Sequence, residues 1–431
     1  MHVKKNALIL TFLLLISGIS LNILWISTQS TNNSLEINPN VLASSTTTYD
    51  WINIWQEGLT QFDQHDDVAV NSTGSIIMGG NTQAEHQYLA VYDKDTGTRV
   101  WNDTINIGYA DSNFQALDVN GTDIYVTSTN GSYMALNYKY NETKSQEWNN
   151  TWDHVTALQT QPNDIALGAS YMYLVGQLSS GGFLAKFDTS GNEQWNVSVA
   201  GAYRCLGAVV NGSSIFVVGR STGADPFLAK HSTTDGGQDW IVYFGTTNVD
   251  QADDVAVDNS GNIYVTGAIQ NPGYQAFLAK FNSTGHQQWM VNYTTDSSAG
   301  QKLAIDISNN YIFVAGWVGD GYYDYPTHKA LQLKYDSNGI LKANNTWQLE
   351  TNYWAHASSI AIDSSGNVYL VGRANNTEGL YKAFIIKNLG KDTTTTIPPP
   401  SPPPIPGFEL IFIVMVVSLI AAGYSMKKKK T

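Results

Sequence analysis

Cysteine is almost absent from this chain, because Cys205 is the only one in 431 residues. A single cysteine excludes an intrachain disulfide, and it excludes any metal or redox site that needs several thiolates. The residues around it, Tyr203 to Gly207, form a short strand-like run. We therefore predict that Cys205 is a small, buried core residue.

Basic residues are also scarce. The chain carries 23 lysines and arginines against 36 aspartates and glutamates, which gives a net charge of −13. Several of the basic residues lie at the ends, at Lys4, Lys5 and 427–430. Nucleic acids and anionic lipid surfaces both bind basic surfaces. We therefore predict no nucleic-acid partner, and the acidic balance fits a soluble surface domain or cation binding.

Arginine is the rarest charged residue, and its positions bear on one class of enzyme. The spacing of Thr233, Asp235, Gly237 and Trp240 fits the Asp-box turn seen in sialidase propellers. A sialidase also needs a cluster of arginines that grips a carboxylate. The central chain offers only Arg99, Arg204, Arg220 and Arg373. A sialidase is therefore disfavoured, and the motif is interpreted as a turn.

The usual catalytic signatures are missing. The chain has no H-E-x-x-H motif, no paired histidine spacing and no G-x-S-x-G nucleophile elbow. The turns at Asp93 (DKDTG) and Asp258 (DNSGN) resemble fragments of calcium loops, but neither has the closing glutamate that such a loop needs. No catalytic residue, metal site or cofactor is predicted, and bound calcium stays an unsupported alternative.

Long apolar runs occur only at the two ends. Residues 1–30 carry two lysines followed by an apolar run, the layout of a signal peptide or an uncleaved signal anchor, and 31–49 form a linker. Residues 391–406 form a Thr- and Pro-rich stalk that favours extended chain. Residues 407–431 contain an apolar segment with a basic tail, which predicts a C-terminal transmembrane helix.

The C-terminal segment carries the order Pro406-Gly407-Phe408, an apolar run and a lysine cluster. This order resembles the sorting signals of archaeal surface proteins, in which a sortase-like enzyme replaces the tail by a lipid anchor. A plain membrane helix is the alternative. Both predict a cell-surface, extracytoplasmic domain that is anchored to the cytoplasmic membrane through its C-terminus.

The central chain is repetitive. The clearest unit begins at Asp253 and contains four short β-rich runs separated by turn residues. The pattern recurs seven times, starting at Asp66, Ala116, Asp164, Leu206, Asp253, Leu303 and Ser359. The seventh unit lacks the Trp-led fourth run, and residues 50–56 (DWINIWQ) supply one ahead of the first unit. We predict an all-β fold over 50–390: a seven-bladed propeller of four-stranded blades, closed by its N-terminal strand.

The repeat motifs D-V-A-V-D-x-x-G-N-I-Y-V-T-G and F-L-A-K-F-D resemble the SBBP family of seven-bladed propeller repeats, and more distantly NHL and quinoprotein repeats. The resemblance covers about residues 50–390 and implies the fold. It implies little about activity, because propellers include enzymes, adhesins and scaffolds.

Two residue types recur at fixed places in the units. The tryptophans are Trp51, Trp101, Trp148, Trp195, Trp240, Trp289 and Trp347, and we predict that they pack between blades. The lysines are Lys186, Lys230, Lys280, Lys334 and Lys387, on the third strands. A lysine ring that binds an anion is one interpretation. Within-blade pairing with Asp67, Asp164 and Asp254 on the first strands is the favoured one.

Unit six departs most from the repeat, and extra residues in a repeat protein often form the binding face. Between its second and third strands lies the insertion 317–328 (WVGDGYYDYPTH), and 352–356 is expected nearby. The predicted stacking residues are Trp317, Tyr322, Tyr323, Tyr325 and Trp354, with Asp320, Asp324, His328 and His356 as polar partners. The alternative is a loop whose aromatic residues pack on themselves.

Asn-x-Ser/Thr sequences are dense, as in a glycosylated surface protein. The candidate glycosylation sites are Asn71, Asn102, Asn120, Asn130, Asn141, Asn149, Asn196, Asn211, Asn282, Asn292, Asn344 and Asn375. The sequence therefore predicts a surface binding or adhesion module whose partner is a cell-surface glycan, peptide or protein. The alternatives are an extracytoplasmic enzyme (a polysaccharide lyase, glycosidase or quinoprotein) and a structural surface-layer component.

Overall fold

The computed structural model describes residues 48–55, 67–81, 87–105, 113–130, 134–154, 159–271, 273–294, 296–320, 328–350, 353–377 and 381–390. The chain divides into two units, 1–390 and 391–431, and the second lies wholly outside these ranges. The predicted signal segment, stalk and C-terminal transmembrane helix also lie outside them. Among the described residues no helix is long and apolar enough to cross a membrane.

Within the described ranges the chain forms 28 β-strands in seven four-stranded sheets. The first strand, β1, spans Trp51–Trp55. Blade one contains β2 (Asp67–Val70), β3 (Ile76–Asn81), β4 (Gln87–Tyr92) and β5 (Arg99–Ile105), and blade two contains β6 (Asn113–Asn120), β7 (Asp123–Thr129), β8 (Ala135–Asn141) and β9 (Gln146–Trp152). Blade three contains β10 (Thr160–Leu167), β11 (Tyr171–Leu178), β12 (Gly181–Asp188) and β13 (Glu193–Ser198).

The remaining blades follow the same order. Blade four contains β14 (Ala202–Asn211), β15 (Ser214–Ser221), β16 (Pro226–Ser232) and β17 (Gln238–Tyr243), and blade five contains β18 (Gln251–Val257), β19 (Ile263–Gln270), β20 (Tyr274–Phe281) and β21 (Gln287–Asn292). Blade six contains β22 (Ser297–Asp306), β23 (Tyr311–Gly319), β24 (Lys329–Asp336) and β25 (Leu341–Trp347). Blade seven contains β26 (Ala355–Ile362), β27 (Val368–Asn375) and β28 (Tyr381–Lys387).

The N-terminal strand closes the ring as the sequence predicts. β1 pairs antiparallel with β28, with Trp51 opposite Lys387 and Trp55 opposite Ala383, and it becomes the fourth strand of blade seven. The first strands of neighbouring blades contact one another around the axis, including β26 of blade seven and β2 of blade one. The all-β, seven-bladed propeller is therefore confirmed.

The core of the described region is divided among the blade interfaces. Seven hydrophobic clusters of described residues each join side chains of two adjacent blades. The middle strands are buried on both faces, so β3 and β4 are buried at every position. The outer strands β13, β17 and β21 consist of exposed and half-buried residues. Hydrophobic burial between blades therefore holds the ring together.

The tryptophans on the outer strands confirm the prediction that they pack between blades. Trp101 donates its Nε1–H to the Glu142 carbonyl oxygen of the next blade at 2.7 Å. Five other indoles each lie against a glycine in the hairpin between the third and fourth strands of the next blade. The pairs are Trp51 with Gly97, Trp148 with Gly191, Trp195 with Gly236, Trp240 with Gly285 and Trp289 with Gly339. These five glycines have φ between +69° and +83°, and a Cβ atom there would collide with or crowd the indole ring. Glycine is required there for both its conformation and its size.

One tryptophan was assigned to the wrong position. Ala343 is the residue opposite Lys334, where the other blades place their tryptophan, whereas Trp347 lies four residues further along β25. Trp347 pairs with Ala330 and packs on Phe384 of blade seven, with ring centroids 4.5 Å apart. Trp152 of blade two occupies the same place as Trp347, opposite Ala135. The sequence spacing misled because Ala343 stands at the repeated position in blade six, and Trp347 is the only tryptophan of β25.

The repeated lysines do not pair with the first-strand aspartates, so that prediction is wrong. Lys186 donates a hydrogen bond to the Thr233 carbonyl oxygen of the next blade (2.7 Å) and lies over the Tyr171 ring. Lys387 donates in the same way to the Lys94 carbonyl oxygen (2.9 Å). Lysines of this row contact turns, rings or outer-strand carboxylates, because the third strand lies well away from the inner strand of its blade.

The strand that closes the ring gives a direct test of the fold. Ile52 of β1 is 7% exposed and packs at the interface of blades six and seven. We expect Ile52→Asp to lower the free energy of unfolding by about 3 kcal/mol, because it buries an unpaired carboxylate.

Val100, which is 63% exposed, provides the control, and Val100→Asp is expected to change stability by less than about 0.5 kcal/mol. Urea unfolding followed by tryptophan fluorescence measures both. Equal stability of the two variants would show that β1 does not complete blade seven.

Candidate functional site

The predicted residues at blades six and seven form a stacked aromatic cluster. Trp317 near the end of β23 stacks on the His328 ring, with centroids 4.3 Å apart and planes 12° from parallel. His356 of β26 continues the stack at 5.0 Å from His328, and Trp354 lies at a tilted angle beside His356. The two histidines share a hydrogen bond between Nδ1 of His328 and Nε2 of His356, 2.8 Å long. We name Trp317, His328, Trp354 and His356 the histidine stack.

Backbone contacts place the histidine stack. The Ala355 amide of blade seven donates to the His328 carbonyl oxygen (3.0 Å), and the Asn375 amide donates to the Trp354 carbonyl oxygen (3.0 Å). Gly319 packs so tightly on His328 that a Cβ atom would lie 2.7 Å from the imidazole ring. The cluster therefore joins the strand ends of two blades at the face where the insertion of unit six begins.

Three members of the histidine stack are buried, and His356 is half-buried. His328 is 1% exposed, Trp317 4% and Trp354 6%. Burial and the neighbouring His328 lower the pKa of His356 to about 3, so this imidazole stays neutral under physiological conditions. The two tryptophans thus pack inside the protein in this structure and do not offer their faces to solvent. A binding role for them stays a prediction.

The other predicted residues of this site have different outcomes. Asp320 is exposed just after β23. Tyr322, Tyr323, Asp324 and Tyr325 lie outside the described residues. The structure therefore brings together four of the nine predicted side chains, and it places Asp320 next to them in the chain.

A second group of functional interest lies on the inner strands, around the axis. Each inner strand has one residue at an equivalent place in its pairing with the second strand of the blade. The seven residues at this place are Asp67, Ala116, Asp164, Gly207, Asp254, Lys302 and Ser359. Asp118 lies two residues after Ala116, on the same face of β6. We name Asp67, Asp118, Asp164, Asp254 and Lys302 the axial cluster.

The carboxylates of the axial cluster bind the backbone of the next blade. Oδ2 of Asp67 accepts the Leu117 amide at 3.0 Å, and Oδ2 of Asp254 accepts the Leu303 amide at 2.8 Å. Asp118 accepts the Leu167 amide at 3.1 Å, and Asp164 accepts the Ala208 amide at 2.9 Å. Four of the seven inner strands are thus linked to their neighbour by a charge-assisted hydrogen bond.

Lys302 extends from blade six towards blade three. Its Nζ lies 2.8 Å from Oδ1 of Asp164, which belongs to a blade that is not adjacent, and 3.7 Å from Oδ1 of Asp254 in the adjacent blade. Although burial opposes the charged form, these two carboxylates raise the pKa of Lys302 well above its usual value. The ammonium group therefore serves as an internal counterion among the axial carboxylates.

Burial raises the pKa of carboxylates in the axial cluster, so they bind a proton at a higher pH than an exposed aspartate does. Burial, with the charges of Asp164 and Asp67, raises the pKa of Asp118 to about 7. Burial also raises the pKa of Asp254 to about 6, although the charge of Lys302 opposes the shift. Clusters of shifted carboxylates often mark catalytic sites. Here, however, each carboxylate already accepts a backbone amide of the next blade, so their arrangement is that of a structural brace.

Lys302 and Asp118 were not among the residues predicted from the sequence. A usable signal existed, because Lys302 stands at the place in unit six that aspartate fills in units one, three and five. The role of this substitution depends on ring closure, because only the closed ring brings Lys302 of blade six to Asp164 of blade three. Among the described residues no group of three or more histidine, cysteine, aspartate or glutamate side chains is arranged to hold a metal ion.

The candidate glycosylation sites differ in exposure. Asn120, Asn149, Asn211, Asn292 and Asn344 are exposed. Asn102, Asn141, Asn196, Asn282 and Asn375 are half-buried, and Asn71 and Asn130 are buried. Asn71 uses its Oδ1 to accept the amides of Thr73 and Ser75, so its side chain holds a turn. Burial disfavours Asn71 and Asn130 as acceptors, and glycosylation of the others stays a prediction.

Comparisons with known proteins agree with this architecture. The family model described as SBBP, Beta-propeller repeat, matches residues 239–273 and 356–379. Two stretches of this chain therefore match the SBBP repeat. They contain the inner strands of blades five and seven. No curated protein matches the sequence.

Similarity to one solved structure supports the fold alone. A chain from the "Crystal Structure of Mitotic Checkpoint Complex" superposes with a TM-score of 0.56 at 12% identity, covering 86% of this chain and 99% of that chain. A protein of unknown function from Bacteroides caccae gives a TM-score of 0.40 at 13% identity, covering 57% of this chain and 81% of that chain. The sequence identity is too low to transfer a function.

The counterion role of Lys302 predicts a loss of stability on its removal. We expect Lys302→Met to lower the free energy of unfolding by about 2–4 kcal/mol, because it leaves carboxylates buried without their cation. In the double variant with Asp164→Asn the loss is expected to be smaller than the sum of the single losses. Urea denaturation of the four proteins gives this coupling.

Lys230→Met is the matched control, since Lys230 pairs with Asp239 at 2.9 Å on the more exposed outer strand. We expect it to cost less than about 1 kcal/mol. If the loss of stability in the double variant equals the sum of the losses in Lys302→Met and Asp164→Asn, a direct interaction between Lys302 and Asp164 is contradicted.

The shifted pKa of Asp118 predicts a pH-dependent contribution to stability. The unfolded carboxyl titrates near 3.9 and the folded one near 7, so the folded state binds more protons in between. The contribution of Asp118 to the free energy of unfolding must therefore fall as pH rises from about 4 to about 7. We expect the free energy of unfolding of wild type, minus that of Asp118→Asn, to decrease as pH rises over that range.

Urea titrations at several pH values measure this difference. Leu117→Ala, a neutral change on the same strand, is the control, and its cost should not vary with pH. A constant difference for Asp118→Asn would mean that the carboxyl titrates alike in the folded and unfolded chains.

Proposed function

We propose that this chain is a cell-surface binding or adhesion module, held to the membrane by a C-terminal helix or lipid anchor, that recognises a glycan, peptide or protein. A β-propeller of this kind is a binding or scaffold module, since it holds loops from several blades on one rigid body. The predicted partner class follows from the aromatic insertion of unit six and the acidic, sequon-rich surface.

The histidine stack is the observation that supports this proposal most. It is a departure from the repeat, because the equivalent places in other blades carry no such pair of histidines. It fixes both ends of the insertion, through Trp317 and His328, and ties them to His356 of the next blade. A binding loop gains affinity when its ends are held in place before binding. The buried stack would thus be the support, and residues 320–325 would make the contacts.

An enzyme is less well supported by the described residues. A glycosidase needs two carboxyl groups about 5–10 Å apart across a pocket, with one free to give up a proton and the other free to attack or to activate water. The axial carboxylates instead hold backbone amides and Lys302. The same contacts that stabilise the ring therefore compete with catalysis.

Glycan and peptide arrays test this proposal, with the full-length chain beside a variant in which Tyr322, Tyr323 and Tyr325 are changed to alanine. We expect specific binding by the wild type and a loss of at least about tenfold in the variant, since aromatic side chains dominate binding energy. Tyr171→Ala is the control, because this exposed tyrosine begins β11 in blade three.

Unchanged binding in the triple variant would place the site elsewhere. Failure to bind any glycan or peptide would contradict the recognition function itself.

A further inference from the structure

The rim of blade four carries an aromatic and basic surface that the repeat does not explain. Tyr203 is 41% exposed and Tyr243 is 50% exposed, both among the largest exposed apolar side chains of the described residues. The Arg220 guanidinium lies 4.6 Å from the centroid of the Tyr203 ring. We name Tyr203, Arg220 and Tyr243 the blade-four rim.

The three side chains lie on one surface. The Tyr243 hydroxyl approaches Gly201 so closely that a Cβ atom there would clash with it, and Gly201 has φ of +76°. Gly201 is two residues before Tyr203, and its carbonyl oxygen accepts the Thr222 amide at 3.0 Å, two residues after Arg220. Two residues of extended chain span at most about 7 Å. The Tyr243 hydroxyl therefore lies close to the chain segments that carry Tyr203 and Arg220.

Arg220 is available to a ligand. No carboxylate lies within ion-pair distance of its guanidinium in the described part of the chain, which contains residues 201–271 without a gap. The neighbouring Arg204, in contrast, donates to Oε1 of Gln251 on β18 of blade five. In a chain with net charge −13, an arginine without an acidic partner beside exposed aromatic rings is unusual.

Three backbone amides near this rim are already hydrogen-bonded. The Phe244 amide donates to Pro226 (3.2 Å), the Asp250 amide to Ala224 (3.0 Å) and the Ser221 amide to Asp225 (2.7 Å). An extended peptide that adds to a strand edge needs free backbone groups. Ring stacking on the tyrosines and hydrogen bonding by the Arg220 guanidinium match a sugar ring that carries an acidic group.

We propose that the blade-four rim binds an acidic saccharide, with a carboxylate of a uronic acid on Arg220 and the apolar face of a sugar ring on Tyr203 or Tyr243. Arginine holds a carboxylate through two parallel hydrogen bonds, which gives both affinity and specificity. The aromatic rings supply apolar contact area. The inference rests on the proposed recognition function, and it names an acidic glycan and a second location for it.

The test compares oligogalacturonate with the neutral galactan oligosaccharide of the same length, using the full-length chain in mild detergent and isothermal titration calorimetry. We expect binding of the acidic oligosaccharide only, weakened by added salt. Arg220→Ala should weaken it at least about tenfold, and Arg220→Lys by an intermediate factor, because lysine keeps the charge but loses the paired geometry.

Arg99→Ala is the matched control, because it makes the same change of charge on β5 of blade one. It should leave the affinity within about twofold, as expected for a distant surface charge. Tyr203→Ala should reduce affinity without changing the thermal stability of the chain by more than about 1–2 °C.

Equal affinity for the acidic and neutral sugars, or equal effects of Arg220→Ala and Arg99→Ala, would overturn this inference while leaving the proposed recognition function intact. Binding of acidic peptides in place of acidic sugars, lost in Arg220→Ala, would overturn the saccharide assignment. Binding to no glycan or peptide on any array would overturn both proposals.

Discussion

The hydrogen bond from an inner-strand amide to the carboxylate of the preceding blade organises this propeller. A ring of separate sheets has no covalent connection across its blade interfaces other than the linking loops, so the relative position of two blades depends on side-chain packing. Packing of apolar surfaces is strong but not directional. The bonds from Leu117 to Asp67 and from Leu303 to Asp254 are directional, and they fix the register of one inner strand against the next.

The same brace explains why charge is concentrated at the axis. Each carboxylate loses hydration when it faces the centre, which raises the pKa of Asp118 and Asp254 towards neutrality. Blade six supplies Lys302 in place of an aspartate, and this ammonium group compensates two of the carboxylates. Blade four supplies Gly207, where a Cβ atom would lie 2.9 Å from the Asp254 Cα atom. The seven blades are therefore similar in strand order but unequal in their axial chemistry.

The sequence predicts the fold well because each unit carries its own turn signals and its own alternation of buried and exposed residues. The strand that completes blade seven was identified from Trp51 and the missing fourth run, and the pairing of Trp51 with Lys387 agrees. The contacts between blades were harder to predict. The repeated lysines were assigned to first-strand aspartates, yet Lys186 reaches a turn of the next blade instead. Sequence repeats define each sheet, whereas partners across an interface depend on how the sheets stack.

The site was only partly predictable for the same reason. The insertion of unit six is visible as a break in the repeat, and the structure does bring Trp317, His328 and His356 together. Their burial could not be inferred from composition, since aromatic residues in a loop can face either solvent or the protein. The blade-four rim was not found, because Tyr203 and Tyr243 are 40 residues apart in the sequence and become neighbours only through the folded sheet.

Native-state hydrogen exchange tests the central claim most directly, because the amides of Leu117, Leu167, Ala208 and Leu303 donate to carboxylates of the preceding blade. If these bonds unite the blades, these four amides should exchange only through global unfolding, with the same free energy and the same denaturant dependence. Exchange of each amide with its own smaller free energy would show that the blades open separately, and it would contradict the account.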